Sequence, residues 1–429
     1  MSVGKIGYAD GVNELAAATA GQHAGALEDR IVAGIAALGP SGRRQLEAKF
    51  ALTVTATSAR VVCTYSNRET RITVPAAVLA LVREHRTVVS RTSAGPWWRL
   101  VVRLTLSGGA SVDAARIEYD YGDEPFPGDQ LFRPEVYRAD IAAHPRARLP
   151  VWLAAYIGHG GRQSRRPRRA AAAVRDDLAH GIRPRHVDAE FPLFPQLWAR
   201  WATLSAAYLA AGSDRGPRVV PSTGSFESAR NGSSGSTLYV LPGGRAVLSG
   251  GVWNAPALNA AYNGGIDLPN LYAGAPDWVT NAVLNPRAAV GLLSFCFWWD
   301  GVRWYRGESP SVQECGAALP AVWTTDAVLE TIAGLLPKHH GVEQRPAAAR
   351  LLAAAERGVV TRELVAKALG AAVELDGALR QLIAADSTPP RPERVAGVLG
   401  ARRAESSAKG PPGFRLIDGS YPHDHRIVL

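Results

Sequence analysis

Apolar residues at Leu15, Ala18, Leu27, Ile31, Ile35 and Leu38 recur near helical spacing, and Gly39-Pro40 closes the run. The period then shortens to two. Phe50–Thr57, Arg60–Tyr65 and Arg71–Val74 alternate apolar with polar residues and are rich in Val, Thr and Ile, so they predict three short strands, with Ser66-Asn67 as a turn. Pro75–His85 returns to helical spacing, with Val78, Leu79, Leu81 and Val82 on its apolar side. Two more strands, Trp97–Leu106 and Ser111–Tyr121, flank Ser107-Gly108-Gly109, a hairpin signal. This order predicts an α+β fold, an N-terminal antiparallel meander with helices on one face, not a parallel sheet.

Pro134–Ala143 and Pro150–Ile157 predict short helices, and Pro192–Gly212 a Trp- and Ala-rich one. Gly158–Arg169 holds five arginines among Gly, Gln and Ser and suggests a linker or exposed basic turn; Asp214–Ser236 suggests a loop. A second antiparallel sheet follows. Its hairpins are Thr237–Leu241 with Arg245–Ser249 around Pro242-Gly243-Gly244, and Gly291–Trp299 with Val302–Tyr305 around Asp300-Gly301. Between them, Trp253–Trp278 alternates aromatic rings with amides, as a long ordered surface loop would. Thr324–Ser387 is helical in pattern, with breaks at Pro337, Gly341 and Gly358. The expected organisation is an α+β domain at 1–158, a basic linker and helical connection at 159–235, a β-rich domain at 236–323, a helical domain at 324–387 and a loosely ordered tail at 388–429.

Composition narrows the class. The 429 residues are 47% hydrophobic and 20% charged, which fits a multidomain globular protein and excludes wholesale disorder. Met1–Gly11 shows no secretory pattern, and the longest apolar stretch, Ala288–Trp299, is too short to span a bilayer, so a cytoplasmic location without membrane contact is expected. Cys63, Cys296 and Cys315 have neither disulfide nor metal spacing. The net charge of +10 invites a nucleic-acid reading, but only five of the 48 basic residues are lysines, which suggests a GC-rich coding bias. About +6 of that charge sits in 151–220, concentrated in Arg162–Arg185.

The most informative segment is Glu118–Asp129, with five carboxylates and no base. Alternation puts Ile117, Tyr119 and Tyr121 on one strand face and Glu118 and Asp120 on the other; Asp123, Glu124, Phe126 and Asp129 follow on the exit loop. Such a patch would attract a basic partner, with the aromatics as anchors. A helix, a meander, Trp97-Trp98 and then Tyr119-Asp120-Tyr121-Gly122-Asp123-Glu124 together resemble the YezG-like immunity proteins of polymorphic toxin systems, over about residues 10–150. The resemblance implies a non-enzymatic α+β module that binds and blocks a toxin domain, often a nuclease. Glu118, Asp120, Tyr121, Asp123, Glu124, Phe126 and Asp129 are then the expected partner-binding residues.

A second, basic patch is expected at Arg162, Arg165, Arg166, Arg168 and Arg169. It has no aromatics interleaved for stacking on bases, and Asp176 and Asp177 follow where they could pair with it, so a nucleic-acid partner is not expected. Gly158-His159-Gly160-Gly161 has no Gly-x-Ser-x-Gly elbow to go with it, and neither a Walker nor a dinucleotide pattern is met. His339-His340 and His423-Asp424-His425 lack nearby ligands, so no metal or cofactor is expected. Thr361–Leu369 offers only Arg362 and Lys367 as bases, which favours helix packing over DNA reading. The leading expectation is a protein-binding module; the alternatives are a hydrolase-like site in the second sheet domain or a secretion-system accessory role.

Overall fold

The computed structural model describes residues 7–385 apart from 39–43, 66–67, 91–94, 108–110, 188–189, 214, 229–233, 337–343 and 371–373, with side chains from 21 onward. Gly39-Pro40, Ser66-Asn67, Gly108-Gly109, Pro337, Gly341, both His clusters and the tail at 388–429 therefore lie outside the described residues. The chain divides into two compact units, 1–159 with 262–265, and 160–261 with the residues from 266 onward.

The first unit runs α1 (Gly7–Ala36), β1 (Gln45–Leu52), β2 (Thr57–Tyr65), β3 (Arg68–Ile72), α2 (Ala76–Val89), β4 (Arg99–Ser107), β5 (Ser111–Asp120), α3 (Pro134–Ala143) and α4 (Val151–Gly158). All neighbouring strands are antiparallel, in the order β3-β2-β1-β4-β5. Helix α2 carries the chain back across the sheet, so β4 joins the free side of β1 instead of extending from β3. Burial follows the two periods. Leu27, Ile31 and Ile35 form the buried stripe of α1, at four-residue spacing, and Ile31 and Ile35 share a core with Val78 and Val82 of α2. Leu46, Ala48, Phe50, Val61, Cys63, Leu100, Val102 and Leu104 fill the same core from alternate strand positions. The other face of the sheet carries the polar residues of the alternation.

The second unit contains α5 (Pro167–Ala179), β6 (Arg185–His186), α6 (Phe194–Ala210), β7 (Arg218–Val220), β8 (Thr223–Glu227), β9 (Gly235–Leu241), β10 (Arg245–Gly251) and residues 256–261 of α7 (Pro256–Gly264). It continues with β11 (Phe295–Trp299), β12 (Trp304–Arg306), α8 (Thr325–Leu335), α9 (Gln344–Glu356), α10 (Arg362–Leu369) and α11 (Leu375–Ala384). Its seven-stranded antiparallel sheet has the order β6-β12-β11-β10-β9-β8-β7. Both faces of the central strands are covered. Leu248, Phe295 and Phe297 pack against α6 and the C-terminal helices, while Val247, Cys296 and Trp298 pack against Leu271, Val279 and Leu293. Double coverage explains why Phe295–Trp299 is an uninterrupted apolar run.

Two differences from the sequence pattern follow from contacts distant in the chain. The helices of 325–384 share one core with the second sheet, through Trp201, Leu204, Leu248, Leu351, Val365 and Leu382, so sheet and helices form one unit. The expected loop at 214–236 contains β7 and β8. Gly224 in β8 looks like a loop glycine, but a Cβ there would stand 2.9 Å from Trp201 Nε1, so the residue is needed for close packing. Gly358, with φ +69°, breaks the chain between α9 and α10 as expected, and Val365, Ala368 and Leu369 of α10 point into the core.

Candidate functional site

Strand β5 places Glu118 and Asp120 on the polar sheet face, where register sets them beside arginines. Arg99 pairs with Asp120, Arg103 with Arg116, and Val101 with Glu118. With β1, β2 and β3 in register, this face gathers Lys49, Arg60, Arg71, Arg99, Arg103 and Arg116 against Glu47, Glu69, Glu118 and Asp120. Six cations meet four carboxylates, so the face is not acidic.

Each strand carboxylate of the run is already engaged. Glu118 Oε2 accepts from Arg103 Nη1 at 2.7 Å and Glu118 Oε1 meets Arg116 Nε at 2.8 Å. Asp120 accepts from Arg99 at 2.8 Å and from the Gly122 amide at 2.8 Å. Burial pushes the Asp120 carboxyl up, and that amide and guanidinium act against the push. Asp129 on the exit loop pairs with Arg60 at 3.1 Å, and its carbonyl accepts from Ser58, so the loop is tied to β2. Asp123 and Glu124 remain exposed, with no ion pair among the described residues.

Phe126 of the run is buried, while Tyr119, on the helix-covered face of β5, stays exposed. Phe126 is 2% exposed and packs edge-on against Trp152 (5.0 Å between centroids) and Trp98 (6.3 Å). Trp152 Nε1 donates to the Gly122 carbonyl at 2.7 Å, and Gly122 takes φ +87° with Trp98, Phe126 and Pro150 around its Cα. Tyr119 donates to Glu28 of α1, and its hydroxyl lies 3.3 Å from His85 Nε2 of α2. Tyr121 is partly buried and packs against the sheet core. Beneath this cluster, Asp140 of α3 is fully buried. It accepts from Arg86 Nη2 at 2.8 and 2.9 Å, Trp98 Nε1 at 3.0 Å and the Val54 amide at 2.9 Å.

On β1, β4 and β5 the polar face carries a charge ladder. Lys49–Glu47–Arg103–Glu118–Arg116 run in sequence, with separations of 2.6, 3.0, 2.7 and 2.8 Å. Burial alone would raise the Glu47 carboxyl, but Lys49 and Arg103 hold it below its usual range. Beside the ladder lies a hollow of about 330 Å³, lined by Gln45, Glu47, Val62, Thr64, Glu69 and Arg103 among others. Glu47, Lys49 and Arg103 escape the sequence reading because only the register brings them alongside Glu118; their alternation in β1 and β4 was the available signal.

In the second unit the arginine turn is docked, not loose. Gln163, 9% exposed, brackets Leu293: its Nε2 donates to the carbonyl at 2.7 Å and its Oε1 accepts from the amide at 3.0 Å. Ser164 donates to the Ala288 carbonyl, and Arg165 donates to Asn270 Oδ1 at 2.7 Å while lying 5.0 Å from the Tyr272 ring centre. Arg166 precedes α5, and Arg168 and Arg169 stand in its first turn; all three are exposed, with no ion pair among the described residues. The aspartates that follow serve elsewhere. Asp176 pairs with His180 at 3.3 Å, and buried Asp177 accepts from the Gly274 amide at 2.7 Å.

Other candidate groups are structural in placement. Cys296 and Cys315 are buried, and burial pushes both thiols well up. Glu190, lining a hollow of about 470 Å³ with Ser311 and Trp323, is held by Arg306 at 3.1 Å and by the Val312 amide. Among the described residues no group of three or more His, Cys, Asp or Glu is placed to hold a metal ion. No described helix is long and apolar enough to cross a membrane. Comparison with protein-family models, curated proteins and solved structures gives no match to any of them.

Proposed function

We propose that this chain is a binding protein and that its first unit docks a protein partner on the polar sheet face formed by β1, β4 and β5. The observation that carries the reading is the ladder from Lys49 to Arg116 beside its hollow. Five charged side chains are mutually paired before any partner arrives, so part of their ordering precedes docking, least of all at Arg116, which is 76% exposed. Their alternating signs select a partner with the complementary alternation, which favours specificity over bulk attraction. This departs from a simple acidic plug, since Glu118, Asp120 and Asp129 are neutralised within the unit. Asp123 and Glu124 supply the remaining free negative charge.

The immunity-type form of this reading rests on the resemblance of the N-terminal segment to YezG-like proteins; the partner is then a toxin domain. The test co-expresses the full chain with toxin domains encoded in the same genome and scores growth rescue and complex formation by size exclusion. Glu118→Lys combined with Glu47→Lys should abolish both, and Asp123→Asn with Glu124→Gln should weaken binding several-fold. Full rescue by both variants would overturn the proposal.

A further inference from the structure

A groove of about 430 Å³ in the second unit separates the arginine turn and the start of α5 from the short 3-10 segments at 277–284. Its two walls differ in chemistry. One presents Ser164, Arg165 and Arg166; the other presents Trp278, Thr280 and Asn281, with Asp277 on its lip. Volume in this range suits a small-molecule-sized ligand. We infer that this groove binds a nucleotide unit, phosphate against the arginine wall and base against the Trp278–Asn281 wall.

Three observations support this assignment. First, the arginines are available. Arg166 in the lining has no ion pair among the described residues, nor do Arg168 and Arg169, which follow it in the first turn of α5 outside the lining, and the neighbouring Asp176 and Asp177 are engaged by His180 and by the Gly274 amide. Guanidinium forks match phosphate oxygens bidentately. Second, the wall that carries them is built in advance, since Gln163, Ser164 and Arg165 are each tied to backbone or side-chain partners more than a hundred residues away. A merely solvated basic loop has no need of such anchoring. Third, the fold supplies the aromatic missing from the arginine segment itself. Trp278 lines the groove; Arg245 already lies over one face of its ring at 4.9 Å, so a base can stack only on the other.

The polarity of the groove also sets the ligand's orientation. Asp277 repels a phosphate on its own side, so the anion belongs against Arg165 and Arg166. A carboxylate and an amide on the opposite side can accept from and donate to the polar edge of a base. A free nucleotide and single-stranded nucleic acid share this chemistry; an acidic peptide offers the charge but no stacking ring.

The test measures binding to the full chain at low salt. The probes are a fluorescein-labelled mixed-sequence 12-nucleotide single-stranded RNA, AMP and hexaglutamate. The RNA or AMP should bind, and the triple variant Arg166→Ala/Arg168→Ala/Arg169→Ala should weaken binding at least 10-fold. For RNA, the triple variant should also flatten the log–log salt slope by about 2, at roughly 0.7 per contact. Trp278→Ala should cost about 5-fold or more, and Trp278→Phe should restore most of it. Tighter binding of RNA than of AMP identifies a strand as the source of the phosphate; the reverse identifies a free nucleotide, and either supports the site. Hexaglutamate binding as well as RNA, with Trp278→Ala silent, would overturn it in favour of an acidic protein. Failure of both RNA and AMP to bind at millimolar concentration would overturn it outright. The arginines are exposed, so matching circular dichroism confirms that the triple variant is folded.

Discussion

Replacing Asp140 by Ala tests the account of the first unit most directly. Its carboxylate is fully buried and, among the described residues, is the only acidic group bonded to Arg86, whose side chain is 7% exposed. Removing it leaves a guanidinium buried without its counter-charge, at a cost of about 3–5 kcal/mol. The Trp98 indole and Val54 amide lose their acceptor too, and Arg146, lying 3.8 Å over the Trp98 ring, loses the anion that opposes the effect of its burial. These losses overlap and do not simply add. Against a usual domain stability of roughly 5–15 kcal/mol, the variant should be close to unfolding in its first unit. Urea titration followed by tryptophan fluorescence reads this as an early transition separated from the main one. Arg86→Met combined with Asp140→Leu removes both charges at similar volume and should recover at least half of the loss. A single variant costing under about 1 kcal/mol, or a double variant as damaged as the single, would refute the reasoning.

Two further outcomes follow from packing and protonation. At Gly250 in β10 an added Cβ would stand 2.3 Å from the Phe295 ring and 2.5 Å from the Gly235 carbonyl, both in neighbouring strands. Gly250→Ala should therefore cost about 1–3 kcal/mol or more in the second unit, seen as a lowered melting temperature there and not in the first. His85 is fully buried; its Nδ1 accepts from Trp97 Nε1 at 3.3 Å, and its other side faces Glu28 and Tyr119. Burial lowers its pKa despite Glu28, so the unfolded chain takes up a proton near pH ~6.5 before the folded one does. Its contribution is present above that pH and is lost as pH falls through the folded value. His85→Gln should flatten the decline in stability between about pH 7 and 5; an unchanged profile would show that His85 does not set it.

Local pattern carried the elements whose partners lie close in the chain. Helix α3 occupies Pro134–Ala143 as expected, and the turns at Pro242-Gly243-Gly244 and Asp300-Gly301 join paired strands. The facing of β5 was also legible, with Ile117 and Tyr119 on the helix-covered face and Glu118 and Asp120 on the other. What alternation cannot supply is register. The acidic run reads as free charge because Arg60, Arg99 and Arg103 lie on other strands, 15 to 69 residues away. The arginine turn reads as a linker for the converse reason. Its anchors, Leu293, Ala288 and Asn270, are 105 to 130 residues downstream. The two charged signals were visible, and pairing across the fold determined which kept its charge.

The anchoring of Gln163, Ser164 and Arg165 bears on handling the protein as well as on ligand binding. A run this dense in arginine is where trypsin would be expected to cut first. Here the side chains of Gln163, Ser164 and Arg165 fasten the segment to Leu293, Ala288 and Asn270, Pro167 blocks cleavage after Arg166, and Arg168 and Arg169 lie within a helical turn. A protease needs several residues drawn out into an extended strand, and this segment cannot provide them without first releasing Leu293. Resistance of the intact chain to brief trypsin treatment at this stretch would therefore report the integrity of the second unit's core, not the accessibility of its surface.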